Sequence, residues 1–127
     1  MLPFHHSINV LSSDIDEIGH VNNVVYVRWV QEVAAAHWAS VAPEELRSRY
    51  LWIVLRHEID YKNPAFIHDE IKGTTWVGDH HGARFERFVK LMNQEDKILA
   101  EAKTMWCMVD TKTMRPTRIT EEVLALL

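Results

Sequence analysis

The sequence predicts an α+β fold in which one antiparallel sheet curls around a single long helix. Two observations about period and one about connections carry that expectation. Apolar residues recur at helical spacing from about Asn22 to Ser40, and from Leu51 onward they recur at a period of two. The later runs are joined by short turns, which implies antiparallel pairing.

Residues 4–11 read as a first strand, ending in the polar run Ser12-Ser13-Asp14. In the helical stretch, Tyr26, Trp29, Val30, Val33 and His37 share one face, and only Arg28, Gln31 and Glu32 supply a polar stripe. A surface helix shows a broader stripe, so this helix is expected to be wrapped on most of its circumference. Asn22 and Asn23 are candidates for its cap. Pro43 followed by Glu44 and Glu45 predicts a short second helix with acids near its positive end.

Ile53, Leu55, His57, Ile59 and Tyr61 then alternate with Val54, Arg56, Glu58, Asp60 and Lys62, and Asn63-Pro64 breaks that strand. A second run covers Glu70 to Asp79 and leaves through His80-His81-Gly82. A third, from Ala83 to Met92, sets Phe85, Arg87, Val89 and Leu91 against Arg84, Glu86, Phe88 and Lys90. Asn93-Gln94-Glu95-Asp96 is a turn, and Lys97 to Val109 forms the last long strand. Pro116 stops regular structure, and Thr120-Glu121-Glu122 caps a short terminal helix. The sum is a five-stranded sheet around one helix, with its edges and outer face left to a partner.

At 127 residues, without repeats or linkers, the chain is expected to form one domain over residues 1–127. A composition of 47% hydrophobic and 25% charged residues is that of a globular protein. The formal charge of -4 and scattered Lys and Arg residues argue against a nucleic-acid partner, whose footprint is basic. A polyanionic small molecule needs only a few placed cations and stays open. The single cysteine, Cys107, sits in the run Thr104-Met105-Trp106-Cys107-Met108-Val109 and reads as a buried core thiol in a reducing compartment. Met1-Leu2-Pro3-Phe4-His5-His6 has neither the basic start nor the apolar stretch of a signal, and no run of about 18 apolar residues occurs. A cytoplasmic protein without a membrane partner is expected.

Between the first strand and the helix lies Asp14-Ile15-Asp16-Glu17-Ile18-Gly19-His20-Val21-Asn22-Asn23-Val24-Val25-Tyr26. Three acids, a glycine and a histidine directly precede a helix N-terminus, whose unpaired N–H groups can receive a developing oxyanion. A carboxylate beside such a site can act as nucleophile or as general base toward water. Spacing alone leaves a second reading open, in which the acids cap the helix and solvate the loop. A calcium loop does not fit, because its glycine and glutamate offsets are missing.

That string, followed by Trp29 and Glu32, resembles the signature of the hot-dog-fold thioesterases, within them the 4-hydroxybenzoyl-CoA and acyl-ACP thioesterase group. The resemblance spans nearly the whole chain. The element order is similar, and Tyr61, Pro64-Ala65 and Asp69 look like the family's strand-turn-strand pattern, as do Val109-Asp110 and Arg115-Pro116 its exit from the last strand. It implies hydrolysis of an acyl-CoA or acyl-carrier-protein thioester without metal or cofactor, by a homodimer that can pair again into a tetramer. It also implies site residues: Asp16 as the catalytic carboxylate, the backbone N–H of Asn23 as carbonyl-polarising donor, and Gly19 permitting close approach of backbone to substrate. Tyr26 closes the motif and is expected at the substrate. His20 matches an active-site histidine of plant acyl-ACP thioesterases; the other readings are that it orients the site from behind or is a plain loop residue. Those plant enzymes carry asparagine where this chain has Ile18, so the expectation rests on Asp16 rather than on the plant set.

Asp14 is expected to be structural, because two close carboxylates oppose each other's ionisation. Glu32 reads as a buried partner for an Arg or a backbone group. Arg84, after the His80-His81-Gly82 turn, and Arg115 are candidates for binding the nucleotide phosphates, with Arg118 as a further alternative. His57 either lines the substrate channel or is a satisfied core histidine. The pairs His5-His6 and His80-His81 cannot chelate as units, since neighbours on a strand face opposite ways. No Gly-x-Ser-x-Gly elbow or phosphate-binding glycine loop occurs. The contrasting reading is a non-catalytic hot-dog protein that binds acyl thioesters or scaffolds a complex. A dehydratase of this fold would need a different histidine motif.

Overall fold

The computed structural model describes residues 3–127; Met1 and Leu2, which begin the segment read above for a targeting signal, lie outside them. The elements run β1 (Phe4–Asn9), α1 (Asn23–Val41), α2 (Glu44–Arg49), β2 (Tyr50–Tyr61), β3 (Glu70–His81), β4 (Arg84–Met92), β5 (Ile98–Asp110), β6 (Arg115–Pro116) and α3 (Glu121–Leu126). All ladders are antiparallel, in the order β1-β3-β4-β5-β2, with the two-residue β6 beside β5. The sixth strand is an addition to the five expected. No helix among the described residues is long and apolar enough to cross a membrane.

The helix α1 begins where Asn22 accepts a hydrogen bond from the Val24 N–H at 3.0 Å. Trp29, Val30 and Val33 are buried against Ile71, Val89, Leu91, Leu99 and Ala100 of the sheet. The closest approach falls at Gly73, where a Cβ would lie 2.2 Å from Val33 Cγ2. A side chain there would push the helix off the sheet. A second cluster (Leu46, Tyr50, Phe85, Met108, Ile119 and Val123) ties α2 and α3 to the other end of the sheet.

Two sequence expectations change. β2 pairs with β5 and not with β3, so residues 62–69 carry the chain across the sheet end instead of making a hairpin. The register of β2 also shifts between Val54 and Arg56. A bulge of this kind reverses which side chains face in. Tyr50, Trp52 and Val54 therefore point inward before it, and His57 and Ile59 after it. Ile53 and Leu55, expected on the same side as His57, are 46% exposed each. In β4, which lies beyond β5 from β2, Phe85, Arg87, Val89 and Leu91 are all buried as their alternation predicts.

Candidate active site

The loop before α1 is closed on itself. Ile15 and Val21 pair across it, the Asp16 N–H donates to His20 O at 2.8 Å, and the Gly19 N–H donates to Asp16 O at 3.1 Å. Gly19 has φ 83°, a conformation that side-chain-bearing residues rarely adopt, so the turn itself demands glycine. Asp16 Oδ1 accepts from the Ile18 N–H at 3.0 Å and the His20 N–H at 3.4 Å. Its second oxygen accepts nothing among the described residues.

The helix start is held from behind. The Val21 N–H donates to Ala65 O at 2.9 Å, and the Asn22 N–H donates to Asp14 O at 2.9 Å. With Asn22 capping Val24, the Asn23 N–H has no acceptor among the described residues. Asp14 is 1% exposed and fully engaged, accepting from the Leu11 N–H at 2.9 Å and from Arg28 Nη2 at 2.8 Å. That hydrogen bond is the main reason the Arg28 guanidinium is held above its ordinary pKa. Glu32 lies 3.3 Å from Arg28 Nε, so its partner is an Arg as expected, but its side chain is 45% exposed and the pair is not buried. Being next to a helical arginine on the outer stripe keeps it in solvent.

Asp16, His20, Asn23 and Tyr26 line one cleft of about 380 Å³, closed on the far side by Tyr61, Lys62, Asn63 and Pro64. Tyr26 is buried, stacks on Trp29 and Tyr61, and donates its hydroxyl to Asn63 O at 3.0 Å. Burial, more than any neighbour, raises its pKa. Its ring can contact a ligand while its hydroxyl is committed. The His20 ring packs edge-on against Phe66 at 5.2 Å. Among the described residues no group of His, Cys, Asp and Glu gathers in a metal-holding cluster.

Arg84 and Arg115 are not in this cleft. Arg84 opens β4 opposite His81, and Arg115 pairs with Asp110, which in turn pairs with Tyr50. Tyr61 at the cleft and Tyr50 stand at opposite ends of β2, whose 12 residues span roughly 36 Å at strand rise. Arg84 and Arg115 can serve this cleft only from a second protomer. His57 is a satisfied half-buried histidine between Gln31 Nε2 at 3.2 Å and Thr104 Oγ1 at 2.8 Å, and burial lowers its pKa.

A second cluster was marked in the sequence by Arg87 in the apolar alternation of its strand and by His37 on the apolar face of the helix. Arg87 on β4 is 7% exposed, and its Nη1 donates to His37 Nδ1 at 2.9 Å and Thr75 Oγ1 at 3.0 Å. Burial, reinforced by the Arg87 charge, lowers His37 to about 4, so its ring is neutral and accepts. Burial lowers Arg87 to about 10, which leaves it charged at neutral pH.

The sheet wrapped on α1 and the acid-to-helix loop define a hot-dog protein, and comparison with known proteins assigns the family. The sequence model of the thioesterase-like superfamily matches residues 10–127, and the chain belongs to that superfamily. Two uncharacterized proteins from strains of Mycobacterium tuberculosis are each 29% identical over 114 residues, covering 90% of this chain and 44% of theirs. The chain thus spans less than half the length of these relatives. A 1,4-dihydroxy-2-naphthoyl-CoA thioesterase from Synechocystis has the same fold, with TM-score 0.84, 16% identity, and coverage of 98% of this chain and 94% of that one. A Staphylococcus aureus protein solved in complex with CoA superposes with TM-score 0.86 at 18% identity, over 98% of this chain and 81% of that one. A predicted thioesterase from Bacillus stearothermophilus gives 0.87 at 18% identity, over 98% and 94%.

Proposed function

We propose that this chain hydrolyses acyl thioesters, releasing a carboxylic acid and a thiol, with Asp16 as the working carboxylate. The observation that carries the reading is one cleft holding both Asp16, half of whose carboxylate is free, and the unengaged N–H of Asn23 at the start of a long helix. A thioester carbonyl seated on that N–H gains positive potential from the helix as its oxygen becomes an anion. Asp16 then either takes a proton from water as the water oxygen adds, or adds to the carbonyl itself and is released by water. In both routes the carbon–sulfur bond breaks and the sulfur leaves as thiolate, which takes up a proton. His20 and the Tyr26 ring shape the walls.

Coenzyme A is the proposed thiol carrier, in keeping with the family and with a fold neighbour solved with CoA; a carrier-protein thioester is the alternative. The same reading makes the active unit a homodimer, because Arg84 and Arg115, the arginines expected at the carrier's phosphates, reach the cleft only from another protomer, while Lys62 is the cation that the protomer itself supplies. A cytoplasmic setting rests on the single, buried Cys107.

The first prediction tests Asp16. Asn in its place keeps an oxygen to accept from the Ile18 and His20 N–H groups, so the loop survives while the charge is lost. Asp16→Asn is expected to lower kcat on acyl-CoA or acyl-carrier-protein substrates by about a hundredfold or more, measured as thiol release, with an unchanged circular dichroism spectrum. Unaltered turnover would remove Asp16 from the mechanism. Absence of turnover by the wild type on every ester would favour the binding-protein reading.

A further inference from the structure

We propose that Lys62 makes the Asp16 cleft selective for thioesters whose acyl group ends in a second carboxylate. This inference rests on the hydrolytic reading and names a substrate class for that site. Among the described residues, Lys62 is the one Lys or Arg that lines the cleft, and Asp16 is the one acid. The cleft holds about 380 Å³, so both charges stand near the carbonyl that the Asn23 N–H would receive.

The backbone at Lys62 is fixed, and its side chain is not. The Lys62 N–H donates to Leu99 O at 2.8 Å, and the Asn63 N–H donates to the same oxygen at 3.2 Å. Asn63 Nδ2 donates to Ile98 O at 2.7 Å, and Asn63 O accepts from the Tyr26 hydroxyl at 3.0 Å. On the preceding side, Tyr61 stacks on Tyr26. The Lys62 side chain is exposed and forms no ion pair among the described residues. Lys72 and Lys103, by contrast, are held by Asp96 and Glu86. Asp69, an acid of the loop that follows Lys62, is engaged by the Phe66 N–H and by Gln94.

A neutral acyl chain has no use for an ammonium group in its cleft. An acyl carboxylate does, because it would otherwise face the like charge of Asp16 and a chain of net charge -4. The carrier's phosphates are a poorer match. The first of them is separated from the sulfur by an arm roughly 15 Å long when extended, which takes it out of a cleft of this size. A carboxylate a few carbons from the carbonyl stays within it, its methylenes against Ile18, Tyr26 and Pro64. The Lys62 ammonium then donates to that carboxylate in a charge-assisted bond.

Thiol release from adipoyl-CoA and from its uncharged ω-amide tests the selection. We expect kcat/KM of the wild type to be about tenfold higher for the acid than for the amide. Lys62→Met should bring the two substrates level, and Lys62→Arg should keep the preference. The same ratio should appear with N-acetylcysteamine thioesters, which carry no phosphate. Equal turnover of acid and amide by the wild type overturns the proposal and leaves the hydrolytic reading standing. An effect of Lys62→Met that is equal on acid and amide, and lost on the N-acetylcysteamine esters, would assign Lys62 to the carrier's phosphates and overturn it too. Should no thioester turn over, the hydrolytic reading fails, and calorimetry with analogues carrying a methylene in place of the sulfur decides. Tighter binding of the acid analogue than of the amide by the wild type, lost in Lys62→Met, upholds the role of Lys62. Equal binding of the two overturns it.

Discussion

Asp14 and Asp16 are two residues apart and differ in what each oxygen touches. Both Asp14 oxygens are used, one on the Leu11 N–H and one on Arg28, in a position closed to solvent. Replacing it with Ala leaves a buried N–H without an acceptor and Arg28 without its partner. We expect Asp14→Ala to lose about 2–3 kcal/mol in urea unfolding while kcat stays within a factor of about three. A larger loss of kcat in the folded variant would move Asp14 into the chemistry. Mutual repulsion of close acids already pointed to a supporting Asp14 from sequence; the ion pair with Arg28, fourteen residues on, could not be read there. Arg87 was legible as a position, since it falls in the alternation of Phe85, Val89 and Leu91, but its neutral partners come from α1 and β3. Those contacts set a pH dependence. His37 titrates at about 4 in the folded chain and near 6.5 when unfolded, so the unfolded state binds the extra proton first as pH falls. Stability is therefore fully present above pH 6.5 and declines as pH drops toward 4, by up to about 3 kcal/mol. His37→Gln should flatten that limb of the unfolding profile, and an unchanged slope would refute the assignment.

At the scale of elements, α1 and the sheet meet through Gly73. Its Cβ position lies inside the Val33 side chain, which is why the helix can approach this closely. Gly73→Ala is expected to cost about 1–3 kcal/mol by overpacking. Val33→Ala in the same chain should restore part of the loss, giving a coupling of about 1 kcal/mol or more in a double-mutant cycle. Strict additivity would mean the two elements do not press on each other. The elements were legible because their periods are strong: α1, β3, β4 and β5 fall within a few residues of expectation. β2 was misread in its facing because the bulge after Val54 has no glycine or proline to announce it. Its pairing with β5 was hidden as well, since strand order depends on contacts distant in sequence. The loop carrying Asp16 was legible for the opposite reason, its acids, glycine and cap being consecutive.

For the molecule as a whole, one protomer leaves exposed what the sequence says should be covered. The polar stripe on α1 is narrow, yet Val24 is 72% exposed and Ala35 and Ala39 also face outward. Beside them β2 is a sheet edge of 12 residues, with Leu51 41% exposed and Ile53 and Leu55 46% each. A long apolar edge is a template for pairing with another chain, and proteins that stay single blunt such edges with charge or proline. Here the only charges before Asp60 are Arg56 and Glu58, which are paired to each other at 2.8 Å. A second copy laid along β2 would cover this edge and bring another set of Arg84 and Arg115 into the assembly. We expect light scattering to report a dimer or tetramer for the wild type, and Ile53→Lys with Leu55→Lys to shift it toward monomer. In the proposed dimer Arg84 and Arg115 come to the cleft from the partner, so the KM for a CoA ester should rise together with dissociation, more than it does for a short thioester lacking the nucleotide. A monomeric wild type with full turnover would break the link between the edge, the arginines and the cleft.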